Sequence, residues 1–163
     1  MIEALLILGG VVTAAFTLVV FFGAPYLPTL SRQTNIALEL LDLRPGQHLI
    51  ELGSGDGKVL IAAAEQGLFA TGYELNPFLA LFSWARTRKY RGRVNVVWGN
   101  FWVKKLPPTD GIFVFLLDKY MKKLDKKIIH NYPDQKIKLV SFAFEMPHKK
   151  HVKEEAGLFL YQY

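Results

Sequence analysis

A glycine-rich segment between two acids is the part of the sequence best suited to chemistry. It reads ELGSGDG over residues 51–57, so an apolar stretch runs into three alternate glycines. Glycine permits a tight turn and lets a ligand approach bare backbone. A second acid, Glu74, follows 17 residues after Gly57. At that distance a carboxylate can accept both hydroxyls of a ribose, so the spacing predicts a nucleoside-binding site.

The charge of this segment discriminates between nucleosides. Glu51 and Asp56 would repel the pyrophosphate that a glycine turn at a helix N-terminus otherwise binds. S-adenosylmethionine carries no phosphate but has a sulfonium and an ammonium, which nearby acids favour. The GxGxG spacing also differs from the dinucleotide pattern GxGxxG, and the sequence contains no GxxxxGK[ST] loop. The segment therefore favours S-adenosylmethionine as the cofactor.

Strands and helices are predicted to alternate along the chain and to position this turn. The predicted strands are residues 48–52, 69–74, 94–98, 111–117, 137–144 and 158–163. Helices are predicted after Thr29 or Ser31, over residues 58–66, from Pro77 with Asn76 as its cap, and over residues 119–131. This order predicts an α/β fold with a mostly parallel sheet of about six strands and helices on both faces. Ligands of such sheets bind beyond the carboxyl ends of the strands.

Several motifs resemble one known family. The segments ELGSGDGKV and GYELNP resemble motifs I and II of the class I S-adenosylmethionine-dependent methyltransferases. GAPYLPT, GNFW, DKYMKKL and SFAFEMP are similar to one subgroup. That subgroup is the membrane-anchored protein-lysine methyltransferases related to the ATP synthase c-subunit lysine methyltransferase. The resemblance covers nearly the whole chain and implies a Rossmann-like methyltransferase sheet, truncated at its C-terminus.

The resemblance also implies which residues bind the cofactor. The glycine turn would surround its methionine part, Glu74 would bind the ribose, and Asn100 would meet the adenine. Thr29 matches a segment that closes over the cofactor in relatives, and Phe101 and Trp102 would line the cofactor or the methyl acceptor. The full predicted set is Glu51, Gly53, Ser54, Gly55, Asp56, Gly57, Glu74, Leu75, Asn76, Asn100, Phe101 and Thr29. No residue is predicted to be catalytic.

The N-terminal segment is predicted to be a retained transmembrane anchor. Residues 4–22 contain no charged residue, and a helix of that length spans about 28 Å, close to the hydrocarbon core of a bilayer. No basic residue precedes the span, unlike in a signal peptide. A buried core helix is the remaining alternative. Residues 1–27 are predicted to form a single-pass transmembrane anchor and its exit segment. Arg32 and Arg44 follow the span, so the predicted methyltransferase domain, residues 28–163, belongs on the cytoplasmic side.

The composition limits the kinds of ligand and partner that are expected for the chain. The chain has no cysteine and four histidines, of which His148 and His151 lack carboxylate neighbours at ligand spacing, so no metal site is predicted. The net charge is +6, but the lysines form no nucleic-acid motif. The expected activity is methylation of a lysine on a membrane-associated protein. Methylation of a lipid or small molecule, or a non-catalytic membrane scaffold, remain the alternatives.

Overall fold

The computed structural model describes residues 2–4, 6–7, 9–10, 13 and 31–163 of the chain. From residue 31 onward, helices and strands alternate as the sequence predicts. The helices are α1 (Ser31–Leu41), α2 (Lys58–Glu65), α3 (Pro77–Thr87) and α4 (Met121–Asn131). The strands are β1 (His48–Leu52), β2 (Phe69–Glu74), β3 (Val94–Trp98), β4 (Gly111–Val114), β5 (Lys138–Phe142), β6 (Lys153–Glu155) and β7 (Leu158–Gln162).

The strands form one mostly parallel sheet. Their order across the sheet is β3-β2-β1-β4-β5-β7-β6. β1 to β5 run parallel to one another, whereas β7 is antiparallel to both β5 and β6. The predicted Rossmann-like α/β class is confirmed by this arrangement.

The prediction of about six strands and a truncated sheet was wrong, because the sheet has seven strands. The strand that the sequence analysis missed is β6, whose residues Lys153, Glu154 and Glu155 are all exposed. A short charged edge strand lacks the apolar alternation that identifies a strand in a sequence. The stretch predicted as the sixth strand is therefore β7, which lies between β5 and β6.

Helices cover both faces of the sheet. α1, α2 and α3 lie on one face, where α1 contacts β5 and β7 and α3 contacts β2 and β3. α4 lies on the other face and buries Met121, Leu124 and Ile128 in a core that includes Leu52 and Ile112. The sheet is thus buried on both sides, as expected for parallel strands.

The carboxyl ends of the parallel strands meet at one edge of the sheet. The register pairs Leu52 of β1 with Tyr73 of β2 and Val114 of β4, and it pairs Glu74 of β2 with Trp98 of β3. The segments that follow these strands are therefore neighbours. They contain almost all of the predicted site residues.

The predicted membrane anchor lies mostly outside the described residues. Within the part of the chain that the structure describes, no helix is both long and apolar enough to span a bilayer. The few described positions of the segment are helical.

Candidate cofactor site

The glycine turn is held against the end of β2. Gly53, Gly55 and Gly57 have φ values of 92°, 51° and 76°, in the left-handed region that favours glycine. The amides of Gly53 and Ser54 both donate to the carbonyl oxygen of Tyr73 at 2.9 Å. These bonds fix the exit of β1 next to β2, as the sequence predicted for a strand–turn–helix segment.

Glu74 joins the two segments that were predicted to bind the cofactor. It is buried, and its Oε2 accepts the amide of Gly55 while its Oε1 accepts the amide of Asn76, both at 2.8 Å. Each carboxylate oxygen can accept more than one hydrogen bond, so capacity remains for ribose hydroxyls. The predicted ribose acid therefore lies beside the glycine turn and is held in one orientation.

Gly72 is a positioning residue that the sequence analysis did not single out. A Cβ added at Gly72 would lie 2.6 Å from Ser54 Cβ and 2.7 Å from Ser54 Oγ. The glycine turn can approach β2 this closely only because Gly72 has no side chain. A glycine inside a strand is itself a sequence signal for such close approach.

Glu51 supplies a buried carboxyl group at the turn. Its side chain is 4% exposed, and its Oε2 has no hydrogen-bond partner among the described residues. Burial raises the pKa of Glu51 well above its ordinary value of 4.5, and the charges of Asp56 and Glu74 raise the pKa further. Such an environment suits a cationic ligand group, which would supply the missing partner and favour the ionised carboxylate.

Two further features of this turn are an unpaired hydroxyl group and open space. The hydroxyl oxygen of Ser54 is also buried with no hydrogen-bond partner among the described residues. A Cβ added at Gly53 would meet no atom within 4 Å, so the turn is open there. Unpaired buried polar atoms are costly and are concentrated at functional sites. The methionine part of S-adenosylmethionine, with its ammonium and carboxylate, matches these unpaired groups.

Asp56 has a partner within the protein. Its carboxylate forms an ion pair with Arg86 of α3, and Arg86 also donates to the carbonyl oxygen of Asp56 at 3.0 Å. The negative charge of Asp56 is therefore largely balanced within the protein. This modifies the charge argument from the sequence, because Glu51 is left as the less compensated acid at the turn.

Asn76 and Leu75 occupy the link between β2 and α3. The Asn76 side chain accepts the amides of Phe78 and Leu79 and so caps α3, as predicted. Leu75 is exposed, and its carbonyl oxygen accepts the indole N–H of Trp98 at 3.2 Å. An exposed apolar side chain directly after the ribose acid is well placed to contact an adenine face.

Asn100, Phe101 and Trp102 follow β3 at the same edge of the sheet. Asn100 Oδ1 accepts the amide of Trp102 at 2.9 Å. Phe101 is buried in the core on the α4 side, and its ring centroid lies 4.5 Å from that of the half-buried Trp102. The Phe101 ring is therefore part of the core, whereas Asn100 is exposed and can meet a ligand.

Trp102 also forms an aromatic surface with Tyr120, which follows β4. Their ring centroids lie 6.0 Å apart, and Lys123 Nζ lies 4.5 Å from the Trp102 ring centroid. An ammonium over an indole face is a favourable cation–π arrangement. This surface therefore already accommodates one lysine side chain of the protein.

The structure thus brings together the described members of the predicted site. Thr29 lies outside the described residues. Among the residues that the structure does describe, no cluster of His, Asp and Glu could hold a metal ion. The candidate site is lined by acidic side chains and has an aromatic surface beside it.

A family model decides the relationship of the chain to known proteins. The model of the ANTKMT methyltransferase domain matches residues 51–153. The chain belongs to this family. The match begins at Glu51 and includes the glycine turn, Glu74 and the aromatic surface. The predicted resemblance to class I methyltransferases of the protein-lysine subgroup is thereby confirmed.

Individual relatives agree with this assignment. The ATP synthase c-subunit lysine N-methyltransferase of Rattus norvegicus is 33% identical over 128 residues, which cover 76% of this chain and 57% of that protein. The adenine nucleotide translocase lysine N-methyltransferase of Mus musculus is 34% identical over 128 residues, covering 76% and 54%. The chain spans about half the length of the curated relatives it matches.

The fold is also shared with a solved structure. The crystal structure of an RNA methyltransferase from Salinibacter ruber, in complex with S-adenosyl-L-homocysteine, has a TM-score of 0.76 and 23% identity. The match covers 84% of this chain and 92% of that one. The two chains therefore share the Rossmann-like sheet of the predicted fold class.

Proposed function

We propose that the chain is an S-adenosylmethionine-dependent methyltransferase that methylates a lysine of a membrane-associated protein. One observation carries the proposal. The buried Glu74 carboxylate bridges the glycine turn and the start of α3, beside the buried, unpartnered Oε2 of Glu51. The lysine acceptor is supported by the relatives, which are named as lysine N-methyltransferases of the ATP synthase c-subunit and of adenine nucleotide translocase.

The residues present divide the binding of the cofactor between them. Glu74 would accept the ribose hydroxyls, Glu51 would balance the positive charge of the methionine part, and Leu75 and Asn100 would flank the adenine. The backbone of the glycine turn leaves room for the ligand. When bound, S-adenosylmethionine supplies an electrophilic methyl group, and the protein contributes position and exclusion of water.

The aromatic surface is suited to the acceptor. A free lysine has a pKa of about 10.4 and must lose its proton before its nitrogen can attack a methyl group. Trp102 and Tyr120 would cover the acceptor side chain and remove it from water, which lowers the pKa of an amine. The same rings would hold the cationic product, as Trp102 holds Lys123.

The N-terminal segment is proposed to be a membrane anchor that brings the enzyme to its substrate. Residues 4–22 carry no charge, and the described side chains Ile2, Leu6 and Ile7 are apolar and exposed. The excess of basic residues after the segment favours a location of the methyltransferase domain on the cytoplasmic side. A tether of this kind raises the local concentration of membrane-associated acceptors.

Cofactor binding is tested by calorimetry on the full chain in detergent. Glu74→Ala should weaken S-adenosylmethionine binding by about 30-fold, because a charged group that accepts hydrogen bonds contributes about 2 kcal/mol. Glu154→Ala is the matched control, since Glu154 is an exposed acid on β6. Unchanged affinity in Glu74→Ala, with the fold intact by circular dichroism, would place the cofactor elsewhere.

The acceptor is tested with membranes and a cofactor carrying a labelled methyl group. Label in protease-sensitive bands, recovered as methyl-lysine after acid hydrolysis, supports the proposal. Label in the organic extract would instead indicate a lipid or small-molecule acceptor. Binding of the cofactor without transfer to either fraction would favour the scaffold alternative. Trp102→Ala should reduce transfer while Ile129→Ala, an exposed residue of α4, should not.

A further inference from the structure

α3 has an apolar surface on the side that faces away from the sheet. Its buried side chains are the small residues Ala80, Ser83 and Thr87. A surface helix normally turns polar residues outward, but most of the exposed side chains of α3 are apolar. The exposed apolar residues, called here the α3 face, are Phe78, Leu81, Phe82, Trp84 and Trp98.

The helical positions of these residues make the exposed surface continuous. Phe78, Leu81 and Phe82 are related by spacings of three and four residues, which places them on one stripe of a helix. Leu81 is 64% exposed and Trp98, on the edge strand β3, is 66% exposed. The indole N–H of Trp98 is already bonded to Leu75, so its ring contributes apolar area with no polar group left unpaired. A contiguous patch of this kind marks an interaction surface.

The charged residues of α3 and of the segment that follows it are all basic, although Arg86 is paired with Asp56. The sequence has no Asp or Glu between Glu74 and Asp110, and Arg86, Arg88, Lys89 and Arg91 follow each other closely. The Arg86 guanidinium lies 5.6 Å from the Phe82 ring, and the Arg91 guanidinium lies 5.8 Å from the Trp84 ring. Apolar rings bordered by cations on long side chains complement a surface that is apolar inside and anionic at its rim.

We propose that the α3 face lies on the surface of an anionic lipid bilayer, at the boundary between headgroups and acyl chains. Aromatic side chains and snorkelling Arg and Lys are the residues that favour this boundary. A protein partner would need an apolar patch ringed by acids, whereas an anionic membrane presents both features everywhere. The inference does not depend on methyl transfer.

The position of α3 in the fold is consistent with contact between the α3 face and a bilayer. α1 and α3 belong to the same helical layer, on the same face of the sheet. The proposed anchor ends at residue 22 and α1 begins at Ser31. The eight residues between them span at most about 28 Å when fully extended. An anchored chain would therefore keep this layer close to the bilayer surface.

The test uses the full chain in vesicles of phosphatidylcholine and phosphatidylglycerol whose acyl chains carry bromine, which quenches tryptophan fluorescence. The variant Trp98→Phe/Trp102→Phe leaves Trp84 as the only reporter. Trp84 should be quenched most by bromines near the headgroups, consistent with insertion of about 5–10 Å. Adding Leu81→Glu should abolish the quenching, whereas the control Ile129→Glu, an exposed residue on α4, should leave it unchanged.

Each other outcome overturns the inference. If the protein floats with the vesicles but Trp84 remains unquenched, the anchor alone holds the chain at the membrane. That result would leave the proposed function intact. Equal quenching in vesicles of phosphatidylcholine alone would remove the role of anionic lipid. A dimer in detergent that Leu81→Glu converts to a monomer, without quenching in vesicles, would assign the α3 face to a second copy of the chain.

Discussion

Glu51 shows how a single residue of this site trades stability for binding. Its carboxyl group is buried and one oxygen lacks a partner among the described residues, which disfavours the ionised form. The raised pKa follows chiefly from that burial. A core position would not keep such a group. The proposed cationic ligand would restore the lost interaction at the glycine turn.

The first prediction concerns the pH dependence of cofactor affinity. In the empty site Glu51 holds its proton to a pH well above 4.5, whereas a bound cationic ligand favours the ionised form. Binding must then release a proton, so affinity should rise with pH and level off once the free carboxyl group is ionised. Calorimetry in buffers of different ionisation enthalpy measures both the affinity and the released proton.

Glu51→Gln is the control for this pH dependence. It should weaken cofactor binding by about 10-fold to 100-fold at neutral pH, because one charge-assisted hydrogen bond is lost. It should also make the affinity less dependent on pH. The empty variant should also be more stable than the wild type above the ordinary Glu pKa of 4.5. The raised pKa means that the folded wild type binds more protons than the unfolded chain, and its stability falls as pH rises through that pKa. An unchanged profile in Glu51→Gln would assign the titration to another group.

Residue types and spacing predicted most of the candidate site, but not the partners of each side chain. The turn, Glu74 and the Asn76 cap follow from local sequence, because each acts within a few residues of its own position. The ion pair of Asp56 with Arg86 joins residues 30 positions apart, and no local pattern encodes it. The closeness of Gly72 to Ser54 likewise depends on how β1 and β2 pair.

At the scale of elements, the buried strands could be predicted from the sequence and the exposed edge strand could not. β1, β2 and β3 have the predicted bounds, because each is an apolar run bounded by turn residues. β4 and β5 are shorter than predicted, since the apolar residues continue into the loops at the carboxyl edge. β6 carries three exposed charged residues, and it becomes a strand only because β7 offers an edge to pair with.

The second prediction concerns the start of α2. Gly57 has a φ of 76°, and a Cβ added there would collide with the Ser83 hydroxyl of α3. Gly57→Ala should therefore destabilise the protein by the left-handed strain of about 1–2 kcal/mol and by the added collision. The free energy of unfolding in urea, measured on the empty protein, gives the total cost.

Two variants separate these contributions. Gly46 has a φ of 88° with no atom within 4 Å of an added Cβ, so Gly46→Ala measures the strain alone. Ser83→Ala removes a buried hydroxyl that has no hydrogen-bond partner among the described residues, and it should cost little by itself. Combined with Gly57→Ala, it should lower the cost towards that of Gly46→Ala, leaving only the 3.3 Å contacts of the added Cβ with Ser83 Cβ and Thr87 Cγ2. If Gly57→Ala and Gly46→Ala lowered the free energy of unfolding equally, α3 would be shown to move away from the added Cβ without a cost in stability.

At the scale of the whole molecule, the two faces of the sheet have different proposed tasks. The layer of α1, α2 and α3 carries the α3 face and follows the proposed anchor. The opposite face carries α4 and the aromatic surface of Trp102 and Tyr120. The cofactor site lies at the edge between them, where the parallel strands end. An enzyme arranged in this way could rest on a membrane while its acceptor surface stays accessible.

The third prediction concerns the anchor. Deleting residues 1–27 removes the proposed membrane tether but keeps Pro28, Thr29 and every residue of the described domain from Ser31 onward. Affinity for S-adenosylmethionine should be unchanged, since the described residues that we propose to bind the cofactor all lie after residue 50. Methyl transfer to a membrane-embedded acceptor should fall by about 100-fold or more, the usual advantage of tethering, while transfer to a soluble peptide acceptor should not.

Replacing residues 1–27 with an unrelated single-span anchor is the decisive control. It should restore transfer to the membrane-embedded acceptor, because a tether acts by concentration and not by its particular side chains. Restoration would also separate the anchor from the α3 face, which is unaltered in both variants. Loss of cofactor binding on deletion would instead mean that the segment packs on the domain, as a buried helix does. Full transfer without any anchor would show that the membrane association lies elsewhere in the chain.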